Sequence, residues 1–267
     1  MIKKTGILAL TFILLLSILS GCGSEEDQTG RETIYQVALL QSLTQGYYDG
    51  IISVSDLRKH GDTGIGTFSG VNGEMILLDG VCYQADSEGK INEMPDSETV
   101  PFSDVTYFDE DGTVKLKRIK DIDALQTELD KIVSENGPNS FYMLKIDGKF
   151  SHIKVRSEYK QEKPYRTLDK ALADDQTEFE YDNIKGTIVA LYCPDYMSGL
   201  NTPGWHFHFI DSDHEVGGHV LDVNVKKATA AYDMTDEFAM CLSDESGFQR
   251  MDLSKDVDKA IEKVEKN

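Results

Sequence analysis

The sequence predicts an α+β fold, a mixed α/β arrangement built on mixed, largely antiparallel β-sheets with a few helices. Three observations carry it. Short apolar runs are punctuated by Asn72-Gly73, Asp79-Gly80, Asp111-Gly112 and Asp147-Gly148, dipeptides suited to tight hairpin turns. Helical spacing is confined to a few stretches, chiefly Ala124, Leu125, Leu129, Ile132 and Val133. No internal repeat is visible, only two strand-rich halves that each carry a helix.

In chain order, Lys3 and Lys4 precede an apolar run over residues 6–19. It is short for a membrane span and fits a secretory signal peptide over residues 1–21. Leu19-Ser20-Gly21-Cys22 resembles the bacterial lipobox, which implies cleavage before Cys22 and a diacylglyceryl anchor on its sulfur. The expected location is the outer face of a bacterial cell membrane, with the lipid at Cys22 as the sole membrane attachment. Residues 22–32 then read as a polar, acidic tether with nothing to bury.

A domain over 33–267 follows. The chain has 27 Lys+Arg against 47 Asp+Glu, and loss of Lys3 and Lys4 takes the net charge from −20 to −22. Such a balance disfavours nucleic acid and anionic lipid surfaces as partners. Cys82, Cys193 and Cys241 are odd in number and lack CxxC spacing, so they read as buried thiols rather than as disulfides or zinc ligands.

Residues 33–40 alternate into a strand, and the aromatic stretch around Tyr47 and Tyr48 leads on. Ser53-Val54-Ser55-Asp56 is a capping-box pattern for a short helix that Gly61 closes. Residues 64–68, 74–78 and 81–83 form a strand meander, with further strand at 105–108 turned by Asp111-Gly112. The helix around Leu129 stops at Gly137-Pro138. Residues 141–155 read as a hairpin about Asp147-Gly148, and 157–180 as a charged loop with a short helix at 168–173. Ile188 to Tyr192 is a buried strand, 237–242 is one more, and Val257, Ile261 and Val264 mark a C-terminal amphipathic helix.

The chemistry concentrates at residues 204–225, which hold four of the six histidines. Side chains alternate along a strand, so His206 and His208 share one face, while Trp205, Phe207 and Phe209 take the other against a core. If the next strand pairs back about Asp213-His214, His219 lies beside His208 and His214 in the exposed turn. Three imidazoles then converge as a catalytic zinc requires, with a position left open. Read one at a time, such histidines are ordinary strand residues.

These residues, with their surroundings, resemble the acetolactate decarboxylase family. The resemblance rests on Gly61-Asp62-Thr63-Gly64-Ile65-Gly66-Thr67-Phe68, Gly73-Glu74-Met75-Ile76, Phe141-Tyr142 with residues 148–156, His206-x-His208 and Gly217-Gly218-His219. It implies a domain of two linked sub-domains, about 33–160 and 161–267, with the metal site on a β-hairpin of the second. It also implies a homodimer, and Zn2+-dependent conversion of 2-acetolactate to acetoin and CO2. Carried over by residue, His206, His208 and His219 are metal ligands, and Glu74 and Arg156 are active-site residues. Glu265 is the C-terminal glutamate, with Glu262 one turn earlier, and Thr67 belongs to the substrate pocket. Two other readings compete. A cupin needs an acidic ligand four or five positions after His208, where Ser212 and Asp213 stand. A surface lipoprotein that only binds a metal or small ligand needs neither Glu74 nor Arg156.

Overall fold

The computed structural model describes residues 31–254. Its first part runs β1 (Thr33–Val37), α1 (Leu40–Thr44), β2 (Ile52–Ser53), α2 (Val54–Leu57), β3 (Thr63–Thr67), β4 (Glu74–Leu78), β5 (Val81–Ala85), β6 (Ile91–Glu93), β7 (Thr99–Val100) and β8 (Phe102–Thr106). The second runs β9 (Gly112–Ile119), α3 (Ile122–Asn136), β10 (Phe141–Glu158), α4 (Leu168–Asp174), β11 (Gln176–Cys193), β12 (Gly204–Asp211) and β13 (Gly217–Thr235). β14 (Glu237–Cys241) and α5 (Ser246–Gln249) complete it. The result is the α+β class that the turn dipeptides and sparse helical spacing predict.

Several ends follow directly from local chemistry. Ser53 Oγ accepts from Asp56 N at 3.1 Å and starts α2, and Asp121 Oδ1 accepts from Ala124 N at 2.8 Å and starts α3. Asp79 and Gly80 both adopt positive φ, 50° and 81°, as a two-residue primed turn between β4 and β5 requires. α2 ends at Leu57, before Gly61, and α1 occupies residues expected only to lead on from the first strand.

Pairing sorts the strands into a seven-stranded sheet, β14-β1-β8-β3-β4-β5-β6, and a five-stranded sheet, β10-β11-β12-β13-β9. β2 and β7 pair separately. All contacts in the large sheet are antiparallel except β1 with β14. In the second sheet β10 also pairs with β13, so β10, β11, β12 and β13 close on themselves as a ring.

Three local expectations give way to this topology. Asp147-Gly148 makes no hairpin: β10 is continuous for 18 residues, with Gly148 between Gly186 and Ala228 of its two neighbours. A Cβ at Gly148 would lie 2.4 Å from the Ala228 Cβ, so glycine serves close strand approach here rather than a turn. Asp111-Gly112 does not fold the chain back on β8, because it leads into β9 of the other sheet. Finally, the stretch 157–180 expected as a charged loop holds the end of β10 and, from Gln176, the start of β11. The chain leaves the large sheet between β8 and β9 and returns to it at β14.

The two faces of the second sheet bury different things. One face carries Leu144, Phe150, Ile188, Phe207 and Phe209 against Leu125 and Leu129 of α3. The opposite face sets Met143, Val189, Leu191 and Ile210 against Ile34, Ile65 and Ile76 of the large sheet. Along β10 the inward residues are Tyr142, Leu144, Ile146 and Phe150, then Ile153 and Val155. The pairing with β13 is irregular between Lys149 and Val155, where this alternation changes. Among the described residues Cys82, Cys193 and Cys241 form no disulfide, the first two being buried and the third half-buried. Among the described residues no helix is long and apolar enough to cross a membrane. The leader, Cys22, the tether up to residue 30, the C-terminal helix and Glu265 lie outside the described residues.

Candidate functional site

β12 and β13 form the hairpin that the histidine spacing predicts, with His208 directly opposite His219. Trp205, Phe207 and Phe209 pack on the inner core, which turns His206 and His208 toward the large sheet. His206 Nε2 lies 3.1 Å from His208 Nε2 and 3.0 Å from His219 Nδ1. The three ligand atoms all fall within 4.8 Å of one another. Nitrogens at about 2.0–2.1 Å from a tetrahedral zinc would be separated by about 3.3 Å, close to what the two short separations show. His214 occupies the exposed turn, edge-on to Tyr83.

The donor set suits a metal in charge state as well as in spacing. His208 Nδ1 donates to the Met75 carbonyl at 2.8 Å, which leaves the Nε2 lone pair for coordination, the usual arrangement behind a ligating histidine. Burial, and then the Arg156 charge, push the His206 pKa down to about 3. Burial also holds His208 well below its usual range, aided by His206 and Arg156 and partly opposed by the Met75 carbonyl. Both imidazoles are therefore neutral at physiological pH, the ligating form.

Glu74 opens β4 beside this cluster. It is buried, with Oε2 3.3 Å from His208 Nε2. Thr67 pairs with Glu74 across the β3–β4 turn, and its hydroxyl donates to Gly73 O at 2.8 Å. Arg156 stands directly across from His219 on β10 and is 3% exposed. Its Nη1 donates to Gln176 Oε1 at 3.3 Å, and its Nε is 3.8 Å from Glu158 Oε1.

Thr67, Glu74, Arg156, Glu158 and the three histidines line one pocket. Its apolar side includes Leu40 and Leu43 of α1 and Leu168 and Leu172 of α4. The structure thus brings together His206, His208, His219, Glu74, Arg156 and Thr67 of the expected residues. Sequence reasoning missed Glu158, because it ended the strand at Arg156, and Gln176, because it read 157–180 as a loop where β11 begins. Alternation carried two residues further puts Glu158 on the Arg156 side. The leucines of α1 and α4 carried no chemical signal.

Comparison with known proteins follows from this geometry. Residues 34–255 match the family model for alpha-acetolactate decarboxylase. The chain is 43% identical over 236 residues to the alpha-acetolactate decarboxylase of Methanosarcina mazei, covering 88% of this chain and 81% of that protein. It is 38% identical over 232 residues to that of Methylococcus capsulatus, covering 87% and 88% respectively. The crystal structure of alpha-acetolactate decarboxylase from Bacillus subtilis strain 168 superposes with a TM-score of 0.84 at 33% identity, covering 88% of this chain and all of that one.

Proposed function

Because the chain belongs to the alpha-acetolactate decarboxylase family, we propose that it converts 2-acetolactate to acetoin and CO2 with Zn2+ held by His206, His208 and His219. The observation that carries this reading is the convergence of three imidazoles with Glu74 and Arg156 in one pocket. Bound there, zinc supplies Lewis-acid stabilisation of negative charge developing on substrate oxygens.

The remaining work falls to side chains of this protein. When the carboxyl-bearing C–C bond breaks, its electron pair passes into the neighbouring carbonyl to give an enediolate. That requires the breaking bond to stand perpendicular to the carbonyl plane. Arg156 is suited to hold the substrate in that pose, since its planar guanidinium can bind an anion through two donors. Glu74 is the candidate proton donor to one face of the enediolate, and its carboxyl is already in the pocket. Glu265 is the alternative donor. The apolar side of the pocket excludes water from the uncovered carbanion-like centre. Thr67 shapes the floor, with its own hydrogen directed to Gly73.

We also read the enzyme as lipid-anchored through Cys22 at the outer face of a bacterial membrane, and as a homodimer. The lipobox-like residues and the family support these two points respectively.

The test is acetoin formation from racemic 2-acetolactate by the soluble form beginning after Cys22. Activity should disappear with a chelator and return with zinc. A folded, zinc-loaded protein that makes no acetoin would overturn the reading in favour of a metal-binding lipoprotein.

A further inference from the structure

Two buried atoms in the pocket have complementary needs that no described residue meets. Arg156 Nε is a donor and Glu158 Oε2 an acceptor, and each lacks a hydrogen-bond partner among the described residues. Both side chains are almost fully buried, at 3% and 5% exposure, and Nε lies 3.8 Å from the nearer Glu158 oxygen, too far for a direct hydrogen bond. Buried polar atoms are nearly always paired, and leaving them unpaired is costly. Both residues line the pocket that also holds the histidines. Gln176 engages Nη1 on the guanidinium, so Nε is left for something else.

We infer that Arg156 Nε and Glu158 form a subsite that recognises the hydroxyl group of a 2-hydroxy acid. A hydroxyl is the substrate group that can satisfy both atoms at once, accepting from Nε–H and donating to the Glu158 carboxylate. The carboxylate and ketone of 2-acetolactate only accept, so neither can satisfy Glu158. A water molecule has the same paired functions and is what the hydroxyl displaces. An oxygen about 2.9 Å from Nε and from the Glu158 carboxylate fits a side-chain pair whose Nε–Oε1 separation is 3.8 Å, with Oε2 the carboxylate atom still to be satisfied. Glu158 also repels a carboxylate that approaches from its side, so the substrate carboxylate is directed elsewhere and the molecule binds in one orientation. The assignment of the 2-hydroxy acid rests on the decarboxylase reading, while the donor–acceptor gap does not.

The test compares two unreactive ligands of nearly equal shape on the zinc-loaded full domain. One is 2-hydroxy-2-methylpropanoate, and the other is 2,2-dimethylpropanoate, in which a methyl replaces the hydroxyl. The measured quantity is the ratio of their dissociation constants in the parent and in Glu158→Met. Any preference of zinc itself for a hydroxy acid is common to both proteins and cancels. Hydrogen bonds to charged groups are worth about tenfold or more in affinity, so the preference for the hydroxy ligand should fall at least about tenfold. Both ligands are anions, so loss of the Glu158 charge acts on them alike, and the dimethyl ligand should bind Glu158→Met at least as tightly as the parent, a pattern that general damage to the pocket would not give. If Glu158→Met fails to fold, Glu158→Gln keeps the shape and a weaker acceptor, and the preference should then fall several-fold. An unchanged preference in a folded variant overturns the subsite. The readings also fail separately: a parent without acetoin-forming activity can keep the hydroxyl preference, and an active parent can show no dependence on Glu158.

Discussion

Glu74 Oε2 and His208 Nε2 are 3.3 Å apart, which places a carboxyl at the histidine cluster without making it part of the three-histidine set. Glu74→Gln keeps size and burial but removes an exchangeable acidic proton. Turnover should fall by about 10²–10⁴-fold, as expected for loss of a general acid, with zinc content per chain unchanged by elemental analysis. Full turnover in that variant would transfer the role to another donor, Glu265 first. At this scale much was legible. His206 and His208 share a face because strand side chains alternate, and the turn about Asp213-His214 fixed the partner of His208 as His219. Glu158 was hidden because the strand was ended at Arg156, and Thr67 gave no sign that its hydroxyl turns to Gly73.

The strand β10 shows where local signals lose to pairing. Asp147-Gly148 is a good turn dipeptide in isolation, yet Gly148 is flanked on both sides by strands that leave no room for a side chain. Its Cβ would also lie 2.6 Å from Lys227 O. Gly148→Ala should therefore destabilise the fold by about 1–3 kcal/mol, the usual cost of overpacking, read as a lower urea midpoint at constant slope. A midpoint equal to the parent's would mean the strands part without cost. A dipeptide reports only its own preferences, whereas the partners of β10 lie some forty and eighty residues away, at Gly186 and Ala228. The caps of α2 and α3 were legible because their partners are three residues away.

Across the whole molecule, acidic charge collects where the sheets meet the start of the described chain. Asp233 of β13 is pushed up to about 7, first by burial and then by Asp111, Glu32 and Asp109, while the Asp109 backbone N–H opposes the shift. A carboxyl raised in the folded state binds its proton more tightly there than in the unfolded chain. Its contribution to stability is complete below the unfolded value of 3.8 and is lost as pH rises through about 7. Asp233→Asn removes that ionisation, so its melting temperature relative to the parent should climb between pH 4 and pH 8. Calorimetric scans across that range check it, and a constant difference would refute it. The fold class could be read from composition and turns, but the ring of four strands could not. Its closure depends on β10 meeting both β11 and β13.

The irregular pairing between Lys149 and Val155 has a consequence for what the pocket contains. Before it, even-numbered residues of β10 face the inner core, and after it odd-numbered residues do. Had parity been kept along the strand, Val155 would look toward the histidines and the guanidinium of Arg156 would be sealed among Phe150 and Val223. The site's positive charge is thus owed to a slip in counting, and any single-residue insertion or deletion between Phe141 and Arg156 would undo it while sparing every atom of the hairpin that carries the three imidazoles.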